Sequence, residues 1–189
     1  EYIKWLCYQH RTPGGMLVRE YALCPHLVHI FNRCLHAGQL PHSLCHGRVC
    51  PLHKSGDGLV HDNYRLIAIE PLLAKLFAIV LEQRAARYLE QCGLRAPEQA
   101  GFRRMHSSAD QLFTLDHLIR KYQAKGQVLH AVFVDFRKAF DMVRREEMLA
   151  RARQLGMEGP FLQALHNWFD NTVLAVDVNG RRGQPFHTY

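Results

Sequence analysis

F-V-D-F-R-K-A-F-D, Phe133 to Asp141, is the stretch on which the reading of this chain turns. It closes a nearly continuous apolar run, Val128 to Phe136, that begins just after Gly126. Such a run predicts a strand buried on both faces. Asp135 then falls at the C-terminal end of that strand. A carboxylate is costly to bury without a partner, and a strand end that opens on a cleft can hold a divalent cation as that partner. Asp141 follows a Lys-Ala-Phe turn, where the chain leaves the strand. A plainer reading makes Asp135 a turn residue and Asp141 the N-cap of the next helix.

Working outward, the neighbouring segments punctuate themselves. Upstream, Leu112, Leu115, Ile119 and Tyr122 recur at helical spacing. Ser107 with Asp110 fits a capping box at the start of that helix, and Gly126 stops it. Before it, a longer helix follows Pro71, with Leu72, Leu73, Leu76, Phe77, Val80 and Leu81 in one stripe and Gly93 at its end. Tyr64 to Ile69 and Arg48 to Leu52 are short apolar runs around the polar turn Lys54-Ser55-Gly56-Asp57-Gly58. Leu23 to Leu35 reads as a helix closed by Gly38, and the stretch before about Gly15 carries no clear pattern. Downstream, helices are expected at Arg144 to Leu155 and Pro160 to Phe169. Thr172 to Val178 with Asn179-Gly180 reads as a hairpin with a type I′ turn. The order is mixed without regular βαβ alternation, so the class is α+β.

The 189 residues are 48% hydrophobic and 22% charged, an ordinary globular composition. No apolar run is long enough to cross a bilayer. Lys and Arg number 24 against 17 Asp and Glu, a formal charge of +7 that favours polyanionic partners. Cysteines and histidines crowd between Cys24 and His53, and zinc uses such ligands. No C-x-x-C pair occurs, however, and Cys34 falls on an apolar stripe, so the reading is a His-rich surface with reduced core cysteines. Arg144-Arg145 reads as a solvated helix start and Arg181-Arg182 as part of a hairpin turn. Glu1 lacks an initiator methionine or a signal-peptide pattern, and both ends read as cuts through a longer chain.

The Phe133–Asp141 string resembles motif A of reverse transcriptases, and its Lys-Ala-Phe-Asp ending is typical of the non-LTR retrotransposon group. Other segments agree in order. Pro51-Leu52-His53-Lys54-Ser55-Gly56-Asp57 resembles the family's P-x-x-K-x-G-D stretch. Asn63-Tyr64-Arg65-Leu66-Ile67 resembles its N-Y-R-P-I fingers motif, with Leu66 in place of proline. Gln99-Ala100-Gly101-Phe102-Arg103 resembles its Q-x-G-F-R block, with Ser107 to Gln111 downstream as expected. Pro41 fits the start of the fingers, although Leu44 replaces the usual tryptophan. The resemblance runs from about Leu23 to Tyr189.

The resemblance implies a right-hand polymerase fold, incomplete here: a fingers-like region over 1–127 and the start of the palm over 128–189. It implies an RNA-directed DNA polymerase using two Mg2+ (or Mn2+) ions, an RNA template, a DNA primer and deoxynucleoside triphosphates. No membrane partner is expected, and a nuclear parent protein is. Asp135 inherits the role of metal ligand, and Phe136 lends a backbone carbonyl to a metal. Phe140 lies under the incoming sugar and would clash with a 2′-hydroxyl. Arg65 and, more weakly, Lys54 face the triphosphate. Arg103 and Arg104 are candidate contacts to nucleic acid. The family's glutamine-glycine block and aromatic-x-Asp-Asp turn are not present, and no Asp-Asp pair occurs anywhere in the chain. Two-metal transfer needs several carboxylates, so the fragment alone is expected to be inactive while keeping weak affinity for nucleic acid. The other reading is a catalytically dead nucleic-acid-binding remnant of such an element.

Overall fold

The computed structural model describes the backbone of residues 7–21, 23–140 and 142–188, and the side chains of 11–16, 23–140 and 142–188. Asp141, expected to cap a helix, lies outside the described residues. The chain is mixed α and β and divides into two compact units. One comprises residues 1–77 and 145–189, the other 78–144.

The first unit is built around a four-stranded sheet. Strands β1 (Cys7–Arg11) and β2 (Leu17–Tyr21) form a separate hairpin, closed by a turn in which Thr12 donates its backbone N–H to the Met16 carbonyl at 2.9 Å. Pro13-Gly14-Gly15 is the turn signal for that hairpin, and it went unread. Strands β3 (His46–His53), β4 (Tyr64–Ile69), β5 (Val173–Val178) and β6 (Arg181–His187) lie in the order β4-β3-β5-β6. β3 pairs antiparallel with β4 and parallel with β5, and β5 pairs antiparallel with β6. The β5–β6 turn is Asn179-Gly180, at φ 52° and 79°. A type I′ turn demands positive φ at both places, which Asn and Gly supply cheaply.

Helix α1 (Cys24–Ala37) ends at Gly38, whose N–H returns to the carbonyls of Cys34 and Leu35. α1 packs on α5 (Gly159–Asn171), which also packs on α4 (Arg145–Gln154). The core of this unit includes Phe31, Cys34, Leu35, Cys45, Val49, Phe77, Leu162, Trp168 and Leu174. The Phe77 ring sits between Phe31, at 5.1 Å, and Trp168, at 5.9 Å between centroids. Gly47 is required where β3 meets β5, because a Cβ there would come within 2.8 Å of Leu174 Cδ2 and 3.1 Å of the Ile69 carbonyl oxygen. Arg145 staples helix ends to the last strand: its guanidinium donates to the carbonyls of Phe169 (3.0 Å) and Thr188 (2.8 Å) and lies over the Phe169 ring.

Helix α2 (Leu72–Gln91) starts in the first unit and runs into the second, which adds α3 (Ser108–Ala124). The expected capping box is formed: Asp110 N–H donates to Ser107 Oγ, and Ser107 N–H donates to the Asp110 carboxylate at 2.7 Å. The apolar stripe of α3 is only partly covered: Leu115 and Tyr122 are half-buried, Leu112 and Ile119 are exposed, and no residue of that helix is fully buried.

The largest departure from the sequence reading is the segment Val128 to Phe136. It is irregular rather than a strand, and it is exposed, with Val132 at 87% and Phe133 at 82%. A strand buried on both faces needs a neighbour on each edge and cover on each side. No described strand pairs with this segment, which is left without a neighbour on either edge. The compact units meet at 77/78 and 144/145, so position 127/128 falls inside the second unit. The cause is the sheet itself: pairing of β3 with β5 draws residues 173–187 back to the strands at 46–69.

Candidate nucleotide and nucleic-acid site

In the first unit, Lys54 and Arg65 come to the same end of the β3–β4 ladder. Arg65 pairs with Leu52, and Lys54 follows two residues after Leu52. The loop between them is tied by its own polar groups. Lys54 N–H donates to the Asn63 carbonyl at 2.8 Å, Asn63 Nδ2 donates to the Asp57 carbonyl at 2.8 Å, and Tyr64 Oη donates to the Gly58 carbonyl at 2.9 Å. Leu59 N–H donates to the Asp57 carboxylate at 2.9 Å. The loop therefore fixes the backbone on which both cations sit, while their side chains remain exposed. Fixed backbones with exposed cations suit an anionic ligand, because less order must be imposed on binding.

In the second unit, Asp135 and Phe136 lie exposed in the irregular segment, not at a strand end. Phe140 closes a turn at 137–140 and meets Phe102 edge-on, with 6.1 Å between ring centroids. Among the described residues no three His, Cys, Asp or Glu side chains come together in a way that could hold a metal ion. The described residues thus do not make a metal centre around Asp135.

Arg103 and Arg104 part company. Arg103 donates through Nε and Nη2 to both carboxylate oxygens of Glu90, each at 2.9 Å, and through Nη1 to the Ala96 carbonyl at 3.3 Å. Arg95 lies 3.6 Å from the same carboxylate and donates to the Phe102 carbonyl at 3.0 Å. Arg103 is thereby a strut pinning the 94–103 loop to α2, with its fork already filled. Arg104 is exposed on the rim of a hollow of about 440 Å³ that also takes in Arg87 and His106.

The crowd of cysteines and histidines resolves into separate places. Cys34 and Cys45 are buried in the core, whereas Cys24 is exposed. Burial pushes the thiols of Cys34 and Cys45 up, and Cys34 and Glu70 nearby raise Cys45 further.

Known proteins resemble the chain over most of its length. The chain is 24% identical over 162 residues to a probable RNA-directed DNA polymerase from transposon BS of Drosophila melanogaster, which covers 85% of this chain and 18% of that protein. It is 26% identical over 180 residues to the RNA-directed DNA polymerase from mobile element jockey of Drosophila funebris, covering 91% of this chain and 20% of the relative. It is 30% identical over 171 residues to a putative 115 kDa protein in the type-1 retrotransposable element R1DM of Drosophila melanogaster, covering 87% and 16% respectively. The chain is a relative of the non-LTR retrotransposon reverse transcriptases. No protein-family profile matches it. It spans about a fifth or less of the length of these LINE-type relatives.

Of one set of charged residues in this reverse-transcriptase relative, sequence reasoning singled out Arg182 alone, as part of a hairpin turn. Arg48 Nη1 donates to Asp177 Oδ2 at 3.4 Å across 129 residues of sequence, and Arg182 Nε lies 4.0 Å from the same oxygen. The only signal was the alternation of strand residues, and that has no meaning until the β3–β5 register is known.

Proposed function

We propose that this chain is part of the catalytic region of an RNA-directed DNA polymerase with a right-hand fold, its fingers over 1–127 and the start of its palm over 128–189. The observation that carries the reading is the similarity to polymerases of that name over most of the chain. In the whole protein, Asp135 would ligate a divalent ion and Phe136 would offer a carbonyl to it. Phe140 would screen the sugar, and Arg65 with Lys54 would hold the triphosphate, whose departure needs fixed cations. RNA template, DNA primer and deoxynucleoside triphosphates are the proposed substrates, Mg2+ or Mn2+ the proposed ions, and the nucleus the proposed place. The residues described here do not assemble an ion site, so the two-metal arrangement is proposed only for the whole protein.

A second reading is a catalytically dead nucleic-acid-binding remnant, favoured by the exposure of Asp135 and by the lack, among the described residues, of any three His, Cys, Asp or Glu side chains grouped to hold a metal ion. The test is primer extension on an RNA template by the whole protein. Asp135→Asn is expected to cut incorporation by at least about a hundredfold, the scale of losing one group that stabilises transition-state charge, while primer-template binding persists. Near-normal incorporation by that variant rules out the assignment of Asp135. No incorporation by the unaltered whole protein leaves the remnant reading in its place.

A further inference from the structure

Phe102 holds a backbone conformation that its residue type avoids. Its φ is 56°, in the left-handed region, where the Cβ of a bulky L-residue crowds the backbone. The side chain gains no core in exchange, since 84% of it is exposed. The conformation is instead clamped from both sides. Arg95 Nη1 donates to the Phe102 carbonyl at 3.0 Å, and Arg103, the next residue, forks onto both carboxylate oxygens of Glu90 in α2. Arg95 lies against the same carboxylate, at 3.6 Å. Backbone strain that its surroundings hold in place is characteristic of sites that present a group to a ligand.

What Phe102 presents is a ring, and the ring meets Phe140. The two planes stand 87° apart, with 6.1 Å between centroids, the edge-to-face arrangement that ring quadrupoles favour. Glu90, Arg95, Phe102, Arg103 and Phe140 all belong to the second unit. Phe140 has less support of its own. It ends a turn that follows an irregular stretch, and neither helix nor strand fixes its backbone. A ring that excludes a hydroxyl by bulk must be held in place by its neighbours, because a ring free to swing yields to the hydroxyl instead. The clamped loop supplies such a neighbour from α2, a regular helix.

We infer that Phe102 is a positioning residue for Phe140. Its ring, set by the Glu90–Arg95–Arg103 clamp, keeps the Phe140 ring against the 2′ position of the incoming nucleotide and so contributes to discrimination against ribonucleotides. The inference rests on the polymerase reading, in which Phe140 screens the sugar. Phe102 itself touches neither the sugar nor the reacting atoms; it acts through Phe140 alone. An edge-to-face pair biases the placement of a ring by roughly two- to tenfold. The effect of losing Phe102 is therefore no larger than that of losing Phe140.

The experiment is primer extension on an RNA template by the whole protein, read as the ratio of ribonucleotide to deoxyribonucleotide incorporation rates at saturating primer-template. Phe102→Ala is expected to raise that ratio about fivefold. Phe102→Tyr keeps the ring and should change it less than about twofold. Added to Phe140→Ala, Phe102→Ala should change the ratio less than about twofold further, because a residue that acts through Phe140 has nothing left to act on. If Phe102→Ala does not fold, Phe102→Gly decides, since glycine takes the left-handed conformation without steric cost. The role is overturned by an unchanged ratio on loss of the ring, by an equal rise in Phe102→Tyr, or by a full fivefold rise on top of Phe140→Ala. It is overturned too if loss of the ring weakens primer-template binding and leaves the ratio alone, which makes Phe102 a template contact. A raised ratio in Phe140→Ala beside an unchanged one in Phe102→Ala removes the positioning role alone. No incorporation by the unaltered whole protein removes the polymerase reading, and the role with it.

Discussion

Phe140 meets one other ring, that of Phe102, and is otherwise 80% exposed. In the whole protein, Phe140→Ala is expected to raise ribonucleotide use relative to deoxyribonucleotide use about tenfold, the scale of one steric contact in a specificity pocket; the ratio of incorporation rates measures it. Arg65→Ala should raise the KM for nucleotide about tenfold with kcat little changed, as expected when binding common to ground and transition states is lost. Steady-state kinetics at fixed template separates that outcome from a template role. At this scale the sequence was informative about residue types and poor about their surroundings. Arg103 stood in a recognisable block, yet nothing local showed that Glu90 fills its guanidinium fork. Arg104 beside it stayed exposed. Asp177 was marked by strand alternation alone, because both of its arginine partners depend on the hairpin and on a strand pairing far along the chain.

Elements whose signals are local were legible. Ser107 with Asp110 marked the start of α3, Gly38 the end of α1, and Asn179-Gly180 the β5–β6 turn, because caps and tight turns are decided within a few residues. Ser107→Ala should cost about 1 kcal/mol, and a thermal melt of the chain should drop by about 2–4 °C. An unchanged melt would mean that α3 unfolds before the transition being followed. Val128 to Phe136 was misread for the opposite reason. Apolar continuity reports that a segment could be a buried strand, and burial also requires flanking strands that no local pattern supplies. The hairpin of β1 and β2 was missed although Pro13-Gly14-Gly15 lay between its arms. Its alternation was too weak to outweigh the turn-rich look of that stretch.

Across the whole molecule, the cysteines offer a map of what is packed. The thiolate is the reactive form, and burial both hides a thiol and pushes its pKa up. Of the five described cysteines, Cys24 and Cys92 are exposed, whereas Cys34 and Cys45 are buried with raised thiols. Iodoacetamide at neutral pH should label Cys24 and Cys92 at least about tenfold faster than Cys34 and Cys45, with peptide mass spectrometry as the readout and denaturant erasing the difference. Equal labelling in the native chain would mean that the α1–β3 core is open. The α+β class was legible from the sequence; the grouping of residues 145–189 with the N-terminal strands was not, since it rests on the β3–β5 pairing. That pairing also sets a timetable. Arg48 must wait for Asp177, 129 residues later, and a ribosome adding roughly 5–20 residues per second needs about 6 to 26 s to deliver it. Through that interval the β3–β4 ribbon leaves the exit tunnel with a bare edge along Val49, so the nascent chain carries a sticky strand for longer than most small domains take to fold.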